Sequence, residues 1–419
     1  MSFDTRPKNG KIVFVNLSSL ATLNPALVEL HNPMGTIKGA AIAVRSGKVE
    51  WVGKESRLPG EYSGYERFDC TGMLGVPGLV ECHTHLVFAG QRSEEFQMRN
   101  AGAGYGEILQ AGGGLLSTVK ATRSAGEDEL VQAALPRLQR FLEQGVTTCE
   151  IKSGYGLNLE NELKILRVVN KLKALTPITL VGTFLGAHAI PLEYRSKREY
   201  YIDLVTKEMI PAVAEQNLAV FCDVFCERVA FNLKEAEKIL RAGRDAGLAA
   251  KIHADQLSSF GGCRLAADME AVSADHCDKV TSGDASAMAE KGVTAVLLPG
   301  ATFFLGERQY APARMLLDKG VHVALSTDCN PGSAMTENIQ LMTTFGGSMM
   351  NMNTAELLKA VTIESARALN MDDSVGTIES GKDADIALMD CPDPGYIPYH
   401  FGTSHVAAVI KRGNVVFAR

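Results

Sequence analysis

The chain is expected to fold as an α/β protein: a (β/α)8 TIM-like barrel carrying a small β-sandwich domain formed from both chain termini. Three observations carry this expectation. Eight short apolar runs alternate with amphipathic helical runs through the middle of the chain, short alternating strands with tight turns occupy both ends, and histidines collect where the central apolar runs stop. Apolar strands interleaved with helices imply a parallel sheet covered on both faces. Eight such units over about 300 residues fit the closed barrel. A doubly wound open sheet is the competing arrangement, but no G-x-G-x-x-G follows the first central strand.

The elements follow in order. Residues 11–73 contain the strand-like segments KIVFVNLSSL, AAIAVRSGKVEWVG and YERFDCTGMLG, with a hairpin signal at Ser46-Gly47-Lys48. The carboxyl end repeats the pattern in DADIALMD and HVAAVIKRGNVVFAR, turning at Arg412-Gly413-Asn414. Neither end has enough strands for a stable sheet by itself. Residues 1–73 and 376–419 are therefore expected to build one composite sandwich, and residues 74–375 the barrel. The barrel strands are expected at 79–85, 146–154, 178–188, 220–227, 249–255, 271–277, 294–300 and 321–328. Between them lie helical runs such as EDELVQAALPRLQRFLEQG, ENELKILRVVNKLKAL, NLKEAEKILRAGRDAG and DASAMAEKG, several ending in a glycine stop. After the last strand, NTAELLKAVTIESARAL predicts one helix capped by Asn353 or Thr354, leading back to the sandwich.

Composition narrows the class. Of 419 residues, 46% are hydrophobic and 21% charged, ordinary for a globular protein, and the net charge of −6 gives no basic footprint for nucleic acid. Lys and Arg are scattered, which argues against a polybasic membrane patch. MSFDTRPKNGKIVFV lacks a secretory apolar core, and no apolar run is long enough to span a bilayer. Nine cysteines without paired spacing predict free thiols in a reducing, cytoplasmic setting.

Catalytic groups of such barrels sit at the carboxyl ends of the strands. Those ends carry His83 and His85, Lys152, His188, Glu227, His253, His276 and Asp328, so five of the nine histidines gather there. In VPGLVECHTH, alternation points His83 and His85 the same way, which suits a shared metal ion. Three imidazoles and a carboxylate form a plausible set for zinc or iron. Cys82, Cys277 and Cys329 adjoin these residues and are expected to face the outer helices as small apolar groups, with thiolate ligation the alternative. The glycine-dense loop 102–116 lacks the Lys-Ser/Thr of a phosphate cradle and is expected to cover the site.

PGLVECHTH, the strand-end His253 and His276, STDCNPGS and the tail GTIESGKDADIAL resemble the amidohydrolase superfamily over nearly the whole chain. HTHLVFAGQRSEEF, EIKSGYGL, GAHAIP, IHAD and TDCNPGS resemble one of its families, the imidazolonepropionases, enzymes of histidine breakdown. The resemblance implies one zinc or iron ion per chain, held by His83, His85, His253 and Asp328. It implies a pocket lined by Arg92, Tyr155, His188, Gln256, Asn330, Gly332 and Ser333, with Tyr105 a further candidate, and a homodimer. It also implies hydrolysis of the ring amide C–N bond of 4-imidazolone-5-propanoate to N-formimidoyl-L-glutamate.

On this reading Asp328 relays the water proton to the ring nitrogen, and His276 hydrogen-bonds the water or the oxyanion. Which of the two is the general base stays open. Arg92 is expected to anchor the substrate carboxylate with Tyr155 assisting, and His188 to be a pocket donor rather than a ligand. Related deaminases often place a glutamate where this chain has Gln256, and an amide cannot shuttle protons, so Gln256 is expected to hydrogen-bond the ring. A second, bridging metal would fall to Glu227, whose plain role is a salt-bridged strand end. Two other functions compete: a deaminase or cyclic amidohydrolase for another heterocycle, and a catalytically silent barrel serving assembly.

Overall fold

Two turns set the terminal sheet. At Ser46-Gly47 and at Arg412-Gly413 both central residues have positive φ, 50° and 81° in the first and 47° and 74° in the second. That geometry matches the right-handed twist of the flanking strands, so each turn makes a tight hairpin where the sequence signals one. The computed structural model describes residues 7–104, 107 and 111–419, so Tyr105 and part of the glycine-dense loop lie outside the described residues.

The amino-terminal strands are β1 (Lys11–Ala21), β2 (Thr36–Arg45), β3 (Lys48–Lys54), β4 (Glu66–Asp69) and β5 (Leu74–Pro77). The carboxyl-terminal strands are β14 (Ile386–Met389), β15 (Val406–Lys411) and β16 (Asn414–Ala418). They join in one sheet of order β16-β15-β14-β5-β1-β2-β3, with β4 also on β1. The two termini are thus one hydrogen-bonded sheet that folds over a shared core. Phe14 and Ile42 pack in the same cluster as Ile386 and Ile410. β5 belongs to this sheet, pairing with β14 from Leu74↔Met389 to Pro77↔Ile386, and it delivers the chain directly to the barrel.

The barrel strands are β6 (Leu79–Glu81), β7 (Val146–Lys152), β8 (Thr179–Ala187) and β9 (Phe221–Cys226), then β10 (Ala249–Ala254), β11 (Ser273–His276), β12 (Thr294–Leu297) and β13 (Val323–Leu325). They neighbour one another in chain order and every pairing is parallel. Closure between β6 and β13 rests on few contacts. Thr84 and Cys329 form one parallel bridge, and the His85 N–H donates to the Cys329 carbonyl. The buried Glu81 carboxyl accepts from Ser326 Oγ and from the Thr327 N–H.

The helices carry the expected stops. Gly145, Gly247 and Gly292 follow helices ending at Glu143, Asp245 and Lys291, each with φ near the left-handed region glycine favours (92°, 85° and 69°). Several expectations change. The first and eighth barrel strands, expected at 79–85 and 321–328, are only Leu79–Glu81 and Val323–Leu325, so His83, His85 and Asp328 follow the strands rather than end them. The run 294–300 is strand only to Leu297, because Pro299 occupies the first turn of the helix Pro299–Phe304. The single helix expected after the barrel is two, Thr354–Ala360 and Ile363–Arg367, broken at Thr362, whose φ and ψ of −133° and −96° are not helical. Asn353 caps the first in a reciprocal capping box with Glu356. Among the described residues no helix is long and apolar enough to cross a membrane.

Candidate active site

His83 and His85 lie just past β6 and look into the barrel mouth, while Thr84 between them donates outward to the Glu150 carbonyl. His253 comes from β10, His276 ends β11, and Asp328 follows β13. Ligand atoms of His83, His85 and His253 lie within 4.8 Å of one another. The Nε2 atoms of His85 and His253 are 3.4 Å apart, and Asp328 Oδ1 is 3.6 Å from His83 Nε2 and 3.7 Å from His85 Nε2.

The proton arrangement fits a cation. His83 Nδ1 is 2.6 Å from Asp275 Oδ2, so that nitrogen carries the proton and Nε2 presents its lone pair. Nε2 is buried and has no hydrogen-bond partner among the described residues. An orphaned imidazole nitrogen facing two more imidazoles and a carboxylate is costly without an ion to receive it. His253 Nδ1 likewise lies 3.0 Å from Asp223 Oδ2, although off the hydrogen-bond axis. Burial is the main cause that holds His83, His85 and His276 well below the usual imidazole range, so all three are neutral. Nothing among the described residues pairs with His85 Nδ1.

Beneath the histidines the barrel interior is charged rather than apolar. Lys152 Nζ is 2.8 Å from Asp223 Oδ2, 3.0 Å from Glu150 Oε2 and 3.2 Å from Asp275 Oδ2, all fully buried. Lys251 reaches Glu150 Oε1 at 3.3 Å and donates to the Ala368 carbonyl. Burial alone would raise the Asp275 carboxyl, but Lys152 and Lys251 overcome it and hold it well below the carboxylate range. Lys152 thus bridges the two carboxylates that face the Nδ1 atoms of His83 and His253. A buried charge survives only when paired in this way.

The predicted pocket residues come together. His85, Arg92, Tyr155, His188, His253, Gln256, His276, Asp328, Asn330, Gly332 and Ser333 all line one cavity of about 200 Å³, completed by Leu115, Phe225 and Leu305. Burial raises the Asp328 carboxyl to about 7, against the pull of His253, Asn330 and Ser333. Burial lowers His188 to about 3 and raises Tyr155, so one is a neutral imidazole and the other an intact phenol. The Tyr155 turn is fastened from below, because the Glu162 carboxylate accepts the N–H groups of Gly154, Gly156 and Leu157. Asn330 Oδ1 accepts the N–H groups of Gly332 and Ser333, which shapes the loop after Asp328.

Other expectations fall elsewhere. Tyr105 lies outside the described residues. Glu227 accepts the N–H groups of Leu257 and Ser258 and the Ser258 hydroxyl, and makes no ion pair among the described residues, so it secures a loop rather than bridging charges. All nine cysteines are free and buried. Cys82 Sγ contacts Ser365 and Cys277 Sγ contacts Cys263, both on outer helices. Residues the sequence did not single out also serve the site: Glu95, Glu162, Asp223 and Asp275, with the apolar walls Leu115, Phe225 and Leu305. Arg137 is another, donating to the carbonyls of Leu86 and Phe88 and stacking 3.5 Å over the Phe88 ring.

Fold and site together define a metal-dependent hydrolase built on a (β/α)8 barrel. The Amidohydrolase family model matches residues 75–416, and the chain belongs to that family. Relatives named imidazolonepropionase match it over most of its length. The imidazolonepropionase of Thermoanaerobacter pseudethanolicus is 46% identical over 90% of this chain and 89% of its own. That of Fusobacterium nucleatum subsp. nucleatum is 47% identical over 94% of each chain. The likeness to solved structures is one of fold. A triazine hydrolase variant superposes with a TM-score of 0.75 at 18% identity, covering 97% of this chain and 95% of its own. An atrazine chlorohydrolase from Arthrobacter aurescens, solved with zinc, gives 0.71 at 18% identity over the same shares.

Proposed function

We infer that this chain is a hydrolase that opens 4-imidazolone-5-propanoate at its ring amide C–N bond, giving N-formimidoyl-L-glutamate. The observation that carries the reading is the convergence of His83, His85 and His253, whose ligand atoms lie within 4.8 Å of one another, with Asp328 beside a cavity that Arg92 also lines. His83, His85, His253 and Asp328 would hold one zinc or iron ion. That ion, when bound, would polarise the ring carbonyl and make water a stronger acid.

The remaining work falls to the protein. Asp328 reaches into the centre with Oδ1 3.6 and 3.7 Å from the Nε2 atoms of His83 and His85, within reach of a water held there. It takes a proton from the attacking water as the oxygen–carbon bond forms. It returns that proton to the ring nitrogen as the carbon–nitrogen bond breaks. His276, neutral at the cavity wall, donates one N–H to the developing oxyanion. The Arg92 guanidinium meets the propanoate carboxylate with Tyr155 assisting. His188, whose Nδ1–H donates to the Gly154 carbonyl, offers its Nε2 lone pair as an acceptor rather than the expected donor, and the Gln256 amide offers both a donor and an acceptor to the ring. Asn330, Gly332 and Ser333 form the opposing wall. Tyr105 joins this pocket by resemblance alone.

The decisive experiment follows the loss of ultraviolet absorbance of freshly made substrate, before and after chelation. Metal-dependent conversion to N-formimidoyl-L-glutamate is expected. No turnover by folded, metal-loaded protein would overturn the substrate. Metal analysis should give one equivalent per chain, and two required equivalents would refute the mononuclear site.

In the same reading the barrel unit spans 74–375, the composite unit 1–73 and 376–419, and the protein is a cytoplasmic homodimer in histidine degradation. Nine free cysteines support a reducing compartment. Light scattering tests the dimer.

A further inference from the structure

Arg92 does not stand free in the cavity. Its Nε and Nη2 both donate to Glu95 Oε2, at 2.8 and 2.7 Å, and neither side chain is more than 17% exposed. The other oxygen, Glu95 Oε1, accepts the Gly114 N–H at 3.0 Å and the Ser117 hydroxyl at 3.2 Å. Oε2 thus takes two guanidinium donors and Oε1 the Gly114 N–H, while the single Ser117 proton is shared between Oε1 and the Gly114 carbonyl, 2.9 Å away, and the group is fixed from both sides. On the far side Gly332 makes room for the guanidinium, since a Cβ there would lie 2.1 Å from Nη1.

We propose that Glu95 is a positioning residue that aims the Arg92 guanidinium at the substrate carboxylate. This rests on the reading of Arg92 as the carboxylate anchor. A guanidinium has five N–H donors in a rigid fork, and a carboxylate needs two parallel ones. Glu95 occupies the Nε side and leaves the Nη1–Nη2 edge, which lies against Gly332 in the cavity wall. Glu95 is not a rival for that edge, because Ser93–Asn100 is a helix and Gly114 and Ser117 tether its carboxylate in place. Its negative charge also offsets that of Arg92, so the pocket favours a group that can meet the fork bidentately over a generic anion. Arg92 supplies the contact, and Glu95 determines where the contact is.

The test compares 4-imidazolone-5-propanoate with the same ring carrying a tail that ends in methyl. The variants are Glu95→Gln and Arg92→Met, each with metal content and thermal midpoint measured. For Glu95→Gln the KM for the propanoate should rise about tenfold, with kcat near the wild-type value and the methyl-tailed ring unaffected. Arg92→Met should abolish the preference between the two rings. Equal losses on both rings in Glu95→Gln, or an unchanged KM, would overturn the proposal and make Glu95 a structural residue. If Arg92→Met keeps the preference, the anchor itself is wrong and the role of Glu95 falls with it. If Glu95→Gln does not fold, Ser117→Ala removes one tether without changing charge. It should raise the propanoate KM about two- to threefold, and no change in that folded variant would equally overturn the proposal.

Discussion

Asp328 and His276 reach the cavity on left-handed backbone, with φ of 56° and 78°, a region seldom used by non-glycine residues. The conformation turns each side chain off its strand end and into the cavity, and the neighbouring strands hold it there. Because Asp328 is both a proposed ligand and the proposed proton carrier, Asp328→Asn should lower kcat by about 10²-fold or more even at saturating metal. Near-normal turnover with metal bound would remove it from that role. Gly332 makes a different demand. A methyl at 332 meets the Arg92 guanidinium at 2.1 Å, so Gly332→Ala should displace the anchor and raise KM about tenfold with kcat held. An unchanged KM would show that Arg92 has another place to go.

At the scale of elements, turns and helix stops were legible because their signals are local, whereas the barrel strands stop one to four residues before the expected ends. Alternation put His83 and His85 on one face, glycine stops marked the helix ends, and the two hairpins sit where Gly47 and Gly413 allow positive φ. Lys152, Asp223 and Asp275 were not legible as a unit. They come from β7, β9 and β11, and nothing in any one segment says that its carboxylate meets a histidine on another strand. Glu162 was hidden for the same reason, reading as a first-turn helix acid while it clasps the turn of Tyr155. Gly154 in that turn has φ of 108°, and a Cβ there would approach His188 Nδ1 to 2.9 Å. Gly154→Ala should cost about 1–3 kcal/mol in unfolding free energy and impair substrate binding, measured by denaturant melts and KM. Another element gives a pH signature. Glu364, at the start of the helix Ile363–Arg367, lies 3.0 Å from His322 and 3.2 Å from Arg367. Burial opposes ionisation, but these partners prevail and depress its carboxyl. A depressed carboxyl stabilises the fold above the usual carboxylate range, and that contribution is lost as pH falls through the folded value. Glu364→Gln should therefore lower the thermal midpoint at pH 7, with the gap to wild type closing only below the usual carboxylate range, from about pH 4 toward about pH 2. A constant gap across that range would refute the linkage.

At the scale of the molecule, the proposed ligand set lies across the weakest seam of the barrel. His83 and His85 follow the first strand and Asp328 follows the eighth, and between those strands the ladder is reduced to the Thr84–Cys329 bridge and the bonds around Glu81. His253 ties the same centre to the fifth strand. A cation held by these four groups is therefore a cross-link over the closure as well as a reagent. Removing it leaves the His83 Nε2 lone pair buried without a partner, facing two other imidazoles. A ligand at 100 times its dissociation constant stabilises the folded state by about 2.7 kcal/mol. Chelation should accordingly lower the thermal midpoint as well as abolish turnover, and restoring zinc or iron should recover both in parallel. Hydrogen exchange should report the loss first in the amides of His85 and Thr327, where the closure is thinnest. Chelation that abolished activity but left the midpoint and those amides unchanged would show that the seam is held by Glu81 and the Thr84 bridge alone.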